Sequence, residues 1–286
     1  MPTNAIMPPE LKSADRSLAL PVFVATTTLA LVISAAALAL PGHGAHSILF
    51  ASLLAILFAG GVVALRAATL PAAVCGMLIA FITWRAAGSG GFGGLFVLFV
   101  TTWLATRIGR EKKRRLGTVE SRHGRRAAQV LANLAVFGIL LSLAALTASR
   151  SGRQFSQLLV AGAAAALAEA AGDTVSSEIG QVYGGTPFMI TSFRPAPAGT
   201  DGAVTLVGTA AGAGAAVLVL ATWAQLSHYP LHWLAAPALG AIAGILFDSL
   251  LGATLERRGY LENDGVNFTS TLFAAAVAVV LLRMHL

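Results

Sequence analysis

The stretch AGAAAALAEAAGDTVSSEIG, residues 161–180, joins an apolar run to a cluster of acids and hydroxyls. Residues 161–171 are apolar apart from Glu169 and predict a membrane helix. At helical spacing Glu169, Asp173 and Ser177 share one face. Ionisable groups at the end of a membrane span are expensive to desolvate and by default indicate a functional site. A polar helix cap without a ligand is the alternative.

The whole chain has the composition of a membrane protein. It has 286 residues, of which 56% are hydrophobic and 11% charged, with a mean hydropathy of +0.78. These values predict an all-α, polytopic integral membrane protein with about nine transmembrane helices. The apolar segment 18–40 is too long for a signal peptide and is counted as the first. The predicted spans lie near 18–40, 48–65, 69–86, 92–107, 128–148, 156–172, 203–223, 232–252 and 267–284.

The basic residues predict the orientation of these spans. With the loop 107–126 in the cytoplasm, fifteen of the nineteen lysines and arginines fall on the cytoplasmic side. The N-terminus is then cytoplasmic and the C-terminus external. A multi-pass protein of the cell (inner) membrane follows. The net charge of +7 comes mainly from this loop. Its basic residues either fix the topology and contact anionic lipid headgroups, or they bind a ligand.

Several other classes of function lack the necessary residues. Nucleic-acid binding is not expected, because no soluble module exists to support it. The single cysteine, Cys75, lies in an apolar span and cannot form an internal disulfide. No Cys/His cluster has zinc spacing. Partners are therefore expected to be membrane lipids and small phosphates, and a homo-oligomer stays an open alternative.

The polar residues divide the chain into two parts. Residues 1–106 form an N-terminal part of about four helices, a scaffold or lipid-facing region, with GSGGFGG at 88–94 as an external turn. Residues 107–286 form a core of about five helices with three cytoplasmic loops, 107–126, 173–202 and 253–266. We expect one site assembled from these three loops.

Polar and glycine stripes mark the helices that flank these loops. Gly240, Gly244, Asp248 and Gly252 repeat every four residues, a spacing that lets another helix approach to backbone distance. A second face, which predicts either interhelical hydrogen bonds or ligand contact, consists of Arg122, Arg125, Gln129 and Asn133. A third, at the start of the last span, consists of Asn263, Asn267 and Ser270 or Thr271.

The loop before the seventh span contains GTDG at 199–202. Backbone amides at a helix N-terminus bind anions, so Thr200, Asp201 and Gly202 are candidate phosphate-binding residues. The alternative is a simple N-cap by Thr200 or Asp201. Arg194, in the same loop, is expected to face an anion.

Together these residues predict phosphoryl transfer to an acceptor in the membrane. Carboxylates and hydroxyls suit a hard cation such as Mg²⁺, and its candidate ligands are Asp173, Glu178 and Asp248. The candidate phosphate-binding residues are Arg125, Arg126, Arg194, Ser177, Asn133 and Asn267. The chain has no GxxxxGK[ST] motif and no lysine after Lys113, so a Walker-type lysine is excluded from the later motifs.

Five segments resemble one known family, in the same order along the chain. They are QVLAN (129–133), DTVSSEIG (173–180), ITSFRPAPAGTDGAVTLVG (190–208), DSLLGATLE (248–256) and NDGVNFTST (263–271). The chain resembles the integral membrane family that includes the plant phytyl-phosphate kinase of tocopherol synthesis. The resemblance covers about residues 88–286. The first spans match poorly.

The resemblance implies a CTP-dependent, Mg²⁺-dependent kinase that converts an isoprenyl monophosphate, of phytyl or geranylgeranyl type, to the diphosphate. It implies Asp173, Asp248 and Arg125 as catalytic residues and Glu178 as the motif glutamate. The family's GTDG falls on Thr200–Gly202 and its asparagines on Asn133 and Asn267. Two alternatives use the same acids: a transporter or scramblase of a lipid phosphate, with Glu169, Asp173 and Asp248, and an aspartyl protease, with Asp173 and Asp248.

Overall fold

The structure is a computed structural model that describes residues 45–119, 124–148 and 152–285. Its described part is almost entirely helical, as the sequence predicts. A short two-stranded antiparallel ladder, absent from that prediction, pairs β1 (Phe188–Met189) with β2 (Ala203–Val204). The helices are α1 (Ala45–Ala64), α2 (Leu70–Arg107), α3 (Arg110–Leu116), α4 (Ala127–Thr147), α5 (Gly152–Tyr183), α6 (Leu206–Ser227), α7 (Ala235–Leu251) and α8 (Asn263–His285).

Helix α5 lies at the centre and packs against α2, α4, α6, α7 and α8. Every residue from 161 to 172 is buried. The segment is mostly alanine, and small side chains let several helices approach one axis closely. The sequence prediction ended this helix near residue 172, but it continues to Tyr183. Asp173 therefore lies about 15 Å before the helix end, and a terminal cap is excluded.

Glycines create the closest helix contacts around α5. A Cβ at Gly172 would lie 2.9 Å from the carbonyl oxygen of Gly212 in α6. A Cβ at Gly240 in α7 would lie 2.6 Å from the carbonyl oxygen of Ala274 in α8. Such approaches require glycine, because no side chain fits at that distance. The close-packed face predicted from Gly240 and Gly244 is therefore confirmed.

Helix α2 contains a reversal of the chain at Gly88. A straight helix of 38 residues would hold its ends about 55 Å apart. The Arg107 guanidinium nevertheless donates a hydrogen bond of 2.8 Å to the carbonyl oxygen of Leu65, just before α2 begins. Gly88 alone is non-helical, with φ 59° and ψ −148°. The turn predicted at 88–94 is thus a break in α2 at Gly88, the first residue of that segment. The two antiparallel halves of α2 match the predicted spans 69–86 and 92–107.

Six helical segments of the described chain have the length and composition to cross a membrane. They are Leu70–Arg107, Ala127–Thr147, Gln154–Tyr183, Leu206–Ser227, Leu231–Glu256 and Asn263–Met284, and a shorter apolar segment is Ile48–Ala64. A multi-pass membrane protein is confirmed. The predicted first span, 18–40, lies outside the described residues, so the count of nine stays a prediction.

The three predicted loops meet at one end of the helix bundle. Lys113 of α3 pairs with Glu178 of α5. Arg126 lies 3.6 Å from Asp264 at the start of α8. A Cβ on Gly202 would overlap the backbone of Ala253. The three loops therefore contact one another, and one site built from them stays a prediction.

Candidate active site

Two aspartates from neighbouring helices form the centre of the site. The carboxyl groups of Asp173 on α5 and Asp248 on α7 are within hydrogen-bonding distance of each other. Ser270 of α8 donates a hydrogen bond of 3.2 Å to Oδ2 of Asp248. Both aspartates are half-buried. The glycine packing of α5, α7 and α8 brings these groups together, although 75 residues separate the aspartates in the sequence.

Glu169 lies one helical turn deeper on the same face of α5. Its side chain is 1% exposed and packs against Gly244, where a Cβ would lie 2.6 Å from Cγ of Glu169. It also lies beside Ser270 and interacts electrostatically with both aspartates. Its Oε1 atom has no hydrogen-bond partner among the described residues. The three acids form the carboxylate cluster, which consists of the buried Glu169 and the half-buried Asp173 and Asp248.

Arg125 supplies positive charge next to this carboxylate cluster. Its guanidinium lies 3.5 Å from Oγ1 of Thr174 and interacts electrostatically with Asp173. The backbone holds it in place, because Arg125 N donates to Ala67 O and Thr69 N donates to Arg125 O, both over 3.0 Å. The connection between α1 and α2 thus positions a residue of the core part.

Glu256 adds a further carboxylate near Asp248. It lies in a single π-helical turn, Gly252–Glu256, that continues α7, and such turns are frequent at functional sites. Glu256 interacts electrostatically with both Asp201 and Asp173. Glu256 is not among the site residues predicted from the sequence. Glu256 follows Asp248 by eight residues within DSLLGATLE. Residues at that spacing lie on the same face of a helix, so the sequence could have indicated Glu256 as a site residue.

Glu178 is held apart from the carboxylate cluster. It forms an ion pair with Lys113, whose side chain is 1% exposed and whose Nζ also donates to Ala105 O over 2.8 Å. Because α5 continues without a break, Glu178 points about 140° away from Asp173 around the helix. The described His, Cys, Asp and Glu side chains include no group of three placed to hold one ion. The predicted set Asp173, Glu178 and Asp248 is therefore not assembled as one.

The remaining predicted residues lie on the loop that contains the β ladder, on helices α4, α5 and α8, and just before α4. Arg194 and Asp201 are exposed on the loop that contains the β ladder, and Thr200 is half-buried there. Ser177 is exposed and donates to the carbonyl oxygen of Thr174 over 3.0 Å. The half-buried Asn267 lies one turn before Ser270. Asn133 is buried, Gly202 is half-buried and Arg126 is exposed.

Two local expectations are wrong. Helix α4 begins at Ala127, so Arg125 precedes it and does not continue the stripe formed by Gln129 and Asn133; Arg122 lies outside the described residues. Asn133 donates to the carbonyl oxygen of Gln129 over 2.8 Å. The N-cap of α6 is Thr205, whose Oγ1 accepts from Gly208 N over 3.0 Å, and neither Thr200 nor Asp201 caps that helix.

The carboxylate cluster fits a divalent cation of the magnesium type. Mg²⁺ in proteins commonly binds one or two carboxylates and takes its other ligands from water and substrate phosphates. Asp173 and Asp248 supply two adjacent carboxylates, and the buried Oε1 of Glu169 has no hydrogen-bond partner among the described residues. A cation bound beside these carboxyl groups would stabilise their charged forms.

Comparison with known proteins places these residues in a family. The family described as Integral membrane protein DUF92 matches residues 53–275. Protein VTE6, chloroplastic, of Arabidopsis thaliana is 32% identical over 212 residues, 73% of this chain and 63% of that protein. The chain therefore matches less than two thirds of that relative's length.

Further relatives come from other plant and microbial proteins. An uncharacterized membrane protein of Synechocystis sp. is 32% identical over 71% of this chain and 78% of its own length. Protein PGR of Arabidopsis thaliana is 31% identical over 63% of this chain and 77% of its own. No solved structure matches the chain significantly.

Proposed function

The chain belongs to the DUF92 family of integral membrane proteins, and from that premise we propose that it is a CTP-dependent prenyl-phosphate kinase. The proposed acceptor is an isoprenyl monophosphate of phytyl or geranylgeranyl type, and the product is the diphosphate. The observation that supports this function best is the pairing of Asp173 and Asp248 beside Arg125, at the end of the bundle where three loops meet.

The proposed reaction is a phosphoryl transfer between two phosphates. An oxygen of the acceptor monophosphate forms a bond to the γ-phosphorus of CTP. The bond from that phosphorus to the β–γ bridging oxygen breaks, and CDP leaves. Such a reaction depends mainly on positioning and on neutralising charge. A covalent intermediate on the protein is not required.

Each group of residues has a proposed task in this reaction. Mg²⁺, when bound, would supply positive charge that neutralises the phosphates. Asp173 and Asp248 would hold it, while Arg125 would neutralise charge on the transferred group. Arg126, Arg194 and the segment Thr200–Gly202 would bind the nucleotide phosphates, together with Ser177, Asn133 and Asn267. Since no lysine follows Lys113, arginine and backbone amides would do this work.

The proposed orientation places the site at the cytoplasmic face of the cell membrane, where nucleotides are available. It rests on the distribution of lysine and arginine. Arg258→Cys and Arg283→Cys, each made in a chain whose native cysteine is removed by Cys75→Ala, would test it. We expect a membrane-impermeant thiol reagent added to intact cells to label only the second position.

One observation favours a second function, transport or scrambling of a lipid phosphate. Glu169 is fully buried with an unpartnered oxygen and lies deeper than the aspartates, as a coupling acid would. Transport sites, however, are expected near the membrane midplane with access from both sides, whereas this cluster adjoins loops at one end.

An assay of the purified protein in liposomes separates the two functions. We expect Mg²⁺-dependent formation of geranylgeranyl diphosphate from γ-labelled CTP and the monophosphate. Liposomes with the Asp173→Asn/Asp248→Asn variant serve as the control. Absence of any diphosphate across a panel of prenyl phosphates and all four nucleoside triphosphates would rule out the kinase. Flux of labelled lipid phosphate without nucleotide would support the transporter.

A further inference from the structure

A cavity of about 580 Å³ lies between α1, both halves of α2 and the segment that leads into α4. It is separate from the carboxylate cluster but shares Arg125 with the site. Its volume falls within the range of pockets that bind small molecules, about 300–1,000 Å³. From the sequence this part of the chain is expected to be a scaffold or lipid-facing region, and of its lining residues only Arg125 has a task in the proposed reaction.

The cavity is apolar along its length and basic at one end. Leu95, Leu98, Phe99, Phe58 and Val62 are among the residues that form its apolar wall. Leu95 lies 12 residues before the end of α2, so the wall extends about 18 Å from that end of the helix. The basic rim is lined by Arg66, Arg107, Arg110, Arg114 and Arg125.

The rim has features of an anion site beyond its charge. The indole Nε1 of Trp103, which lines the cavity, is buried and has no acceptor among the described residues. The Arg107 guanidinium lies 4.1 Å from the centre of the same indole ring, which fixes its position. Arginines with planar donor groups are well suited to bind phosphate oxygens.

We propose that this cavity binds the lipid acceptor, a single-chain prenyl monophosphate, with its chain along the apolar wall and its phosphate at the arginine rim. The inference rests on the proposed function and assigns the acceptor to residues 58–114 together with Arg125. The positive charge of the arginine rim complements a phosphate head group, and the apolar wall complements a hydrocarbon chain.

Arg125 explains how an acceptor in this cavity would meet the nucleotide. It lines the cavity and also contacts Thr174, the neighbour of Asp173. A phosphate at the rim would therefore lie beside the carboxylate cluster, with Arg125 between the two anions. The ladder from Arg125 to Ala67 and Thr69 fixes the cavity wall relative to the site.

Photolabelling in the absence of nucleotide tests binding separately from catalysis. The probe is a diazirine-bearing geranylgeranyl monophosphate, applied to the full chain in liposomes and mapped by peptide mass spectrometry. We expect labelling within residues 58–76 and 95–110, and competition by unlabelled geranylgeranyl monophosphate. Equal competition by phosphatidic acid would overturn the inference, because it would identify the cavity as a general lipid site.

Two glycines offer a matched pair of variants. Gly76 lines the cavity, Gly60 does not, and a Cβ at either position meets no atom within 4 Å. Leucine at Gly76 would occupy the cavity, and overpacking of this kind should reduce labelling about tenfold or more. Gly60→Leu should label normally. Equal labelling of the two variants would overturn the inference.

A second pair of variants tests the contact between the arginine rim and the phosphate of the ligand. Arg66→Gln/Arg110→Gln should raise the acceptor KM without changing the CTP KM, whereas Arg258→Gln should change neither. Unchanged acceptor KM in the first variant would contradict the assignment. If wild-type protein is labelled in the cavity but forms no diphosphate, the site assignment holds and the kinase proposal fails.

Discussion

The hydroxyl of Ser270 on α8 donates a hydrogen bond of 3.2 Å to Oδ2 of Asp248 on α7, and Ser270 also lies beside Glu169 of α5. Its side chain is fully buried. One hydroxyl has a single proton to donate, so it cannot donate to both carboxyl groups at once. Three carboxyl groups therefore lie close together, and a cation bound beside them would stabilise their charged forms.

Asp248→Asn should abolish activity with little effect on folding. Asparagine has the same shape and can still hydrogen-bond, but it removes a negative charge from the proposed metal site. We expect kcat to fall by roughly two orders of magnitude or more, because a metal supplies several kcal/mol to the transition state. The ligand-free Tm should stay near that of the wild type, since a buried charge is removed. Asp173→Asn should behave alike, and normal turnover in both would contradict the metal assignment.

Ser270→Ala should affect the site more than the fold. The change removes the donor to Asp248 and leaves a cavity no larger than one oxygen, so we expect about 0.5–1.5 kcal/mol of destabilisation. Repositioning of Asp248 should lower kcat more than it raises either KM. Thr271→Ala, at the equally buried neighbour whose hydroxyl bonds only its own helix at Phe268 O, is the control. Equal kinetic effects of the two changes would argue against a positioning role.

Lys113→Met should destabilise the protein strongly. It removes the buried partner of Glu178 and leaves that carboxylate uncompensated, which typically costs about 3–5 kcal/mol. Lys113→Met/Glu178→Leu should recover most of the lost Tm. If the double variant folds and retains activity, Glu178 acts in structure. If it folds but is inactive, Glu178 has a role in the reaction that its ion pair does not explain.

Gly244→Ala should weaken the packing of α7 against α5 and α8. The new methyl group would lie 2.6 Å from Cγ of Glu169 and 2.7 Å from Cβ of Ala274. Overpacking of this kind costs about 1–3 kcal/mol. Gly214→Ala, on α6, meets no atom within 4 Å, so it should leave Tm unchanged or raise it. A higher Tm for Gly244→Ala would contradict close packing of α7 against α5 and α8 at Gly244.

Gly202→Ala should separate steric contact from backbone strain. Gly202 has φ +74° and Gly185 has φ +69°, so alanine is strained at both positions. Only at Gly202 would the methyl group also overlap a neighbour, Ala253 beside the π-helical turn. We therefore expect Gly202→Ala to reduce nucleotide-dependent turnover well beyond Gly185→Ala. Similar losses would mean that this contact does not position the site.

The sequence alone determined the class of fold and much of the site. Apolar segments of spanning length can satisfy their backbone hydrogen bonds in a membrane only as helices or closed barrels, and their composition and periodicity indicated helices. The four-residue spacing of Gly240 and Gly244 predicted close packing, and the position of Asp248 among those glycines placed it in that contact. These are local patterns, and the resemblance to one family added the identity of the motifs.

The tertiary structure alone decided which charges meet. Asp173 and Glu178 are five residues apart, yet the unbroken helix turns one toward Asp248 and the other toward Lys113. Helix α5 continues past residue 172, where Gly172 packs against the backbone of α6, a contact that no local pattern encodes. The cavity between α1 and α2 likewise depends on the reversal at Gly88. Partner choice between distant charges is a property of packing, and packing is set by all the helices together.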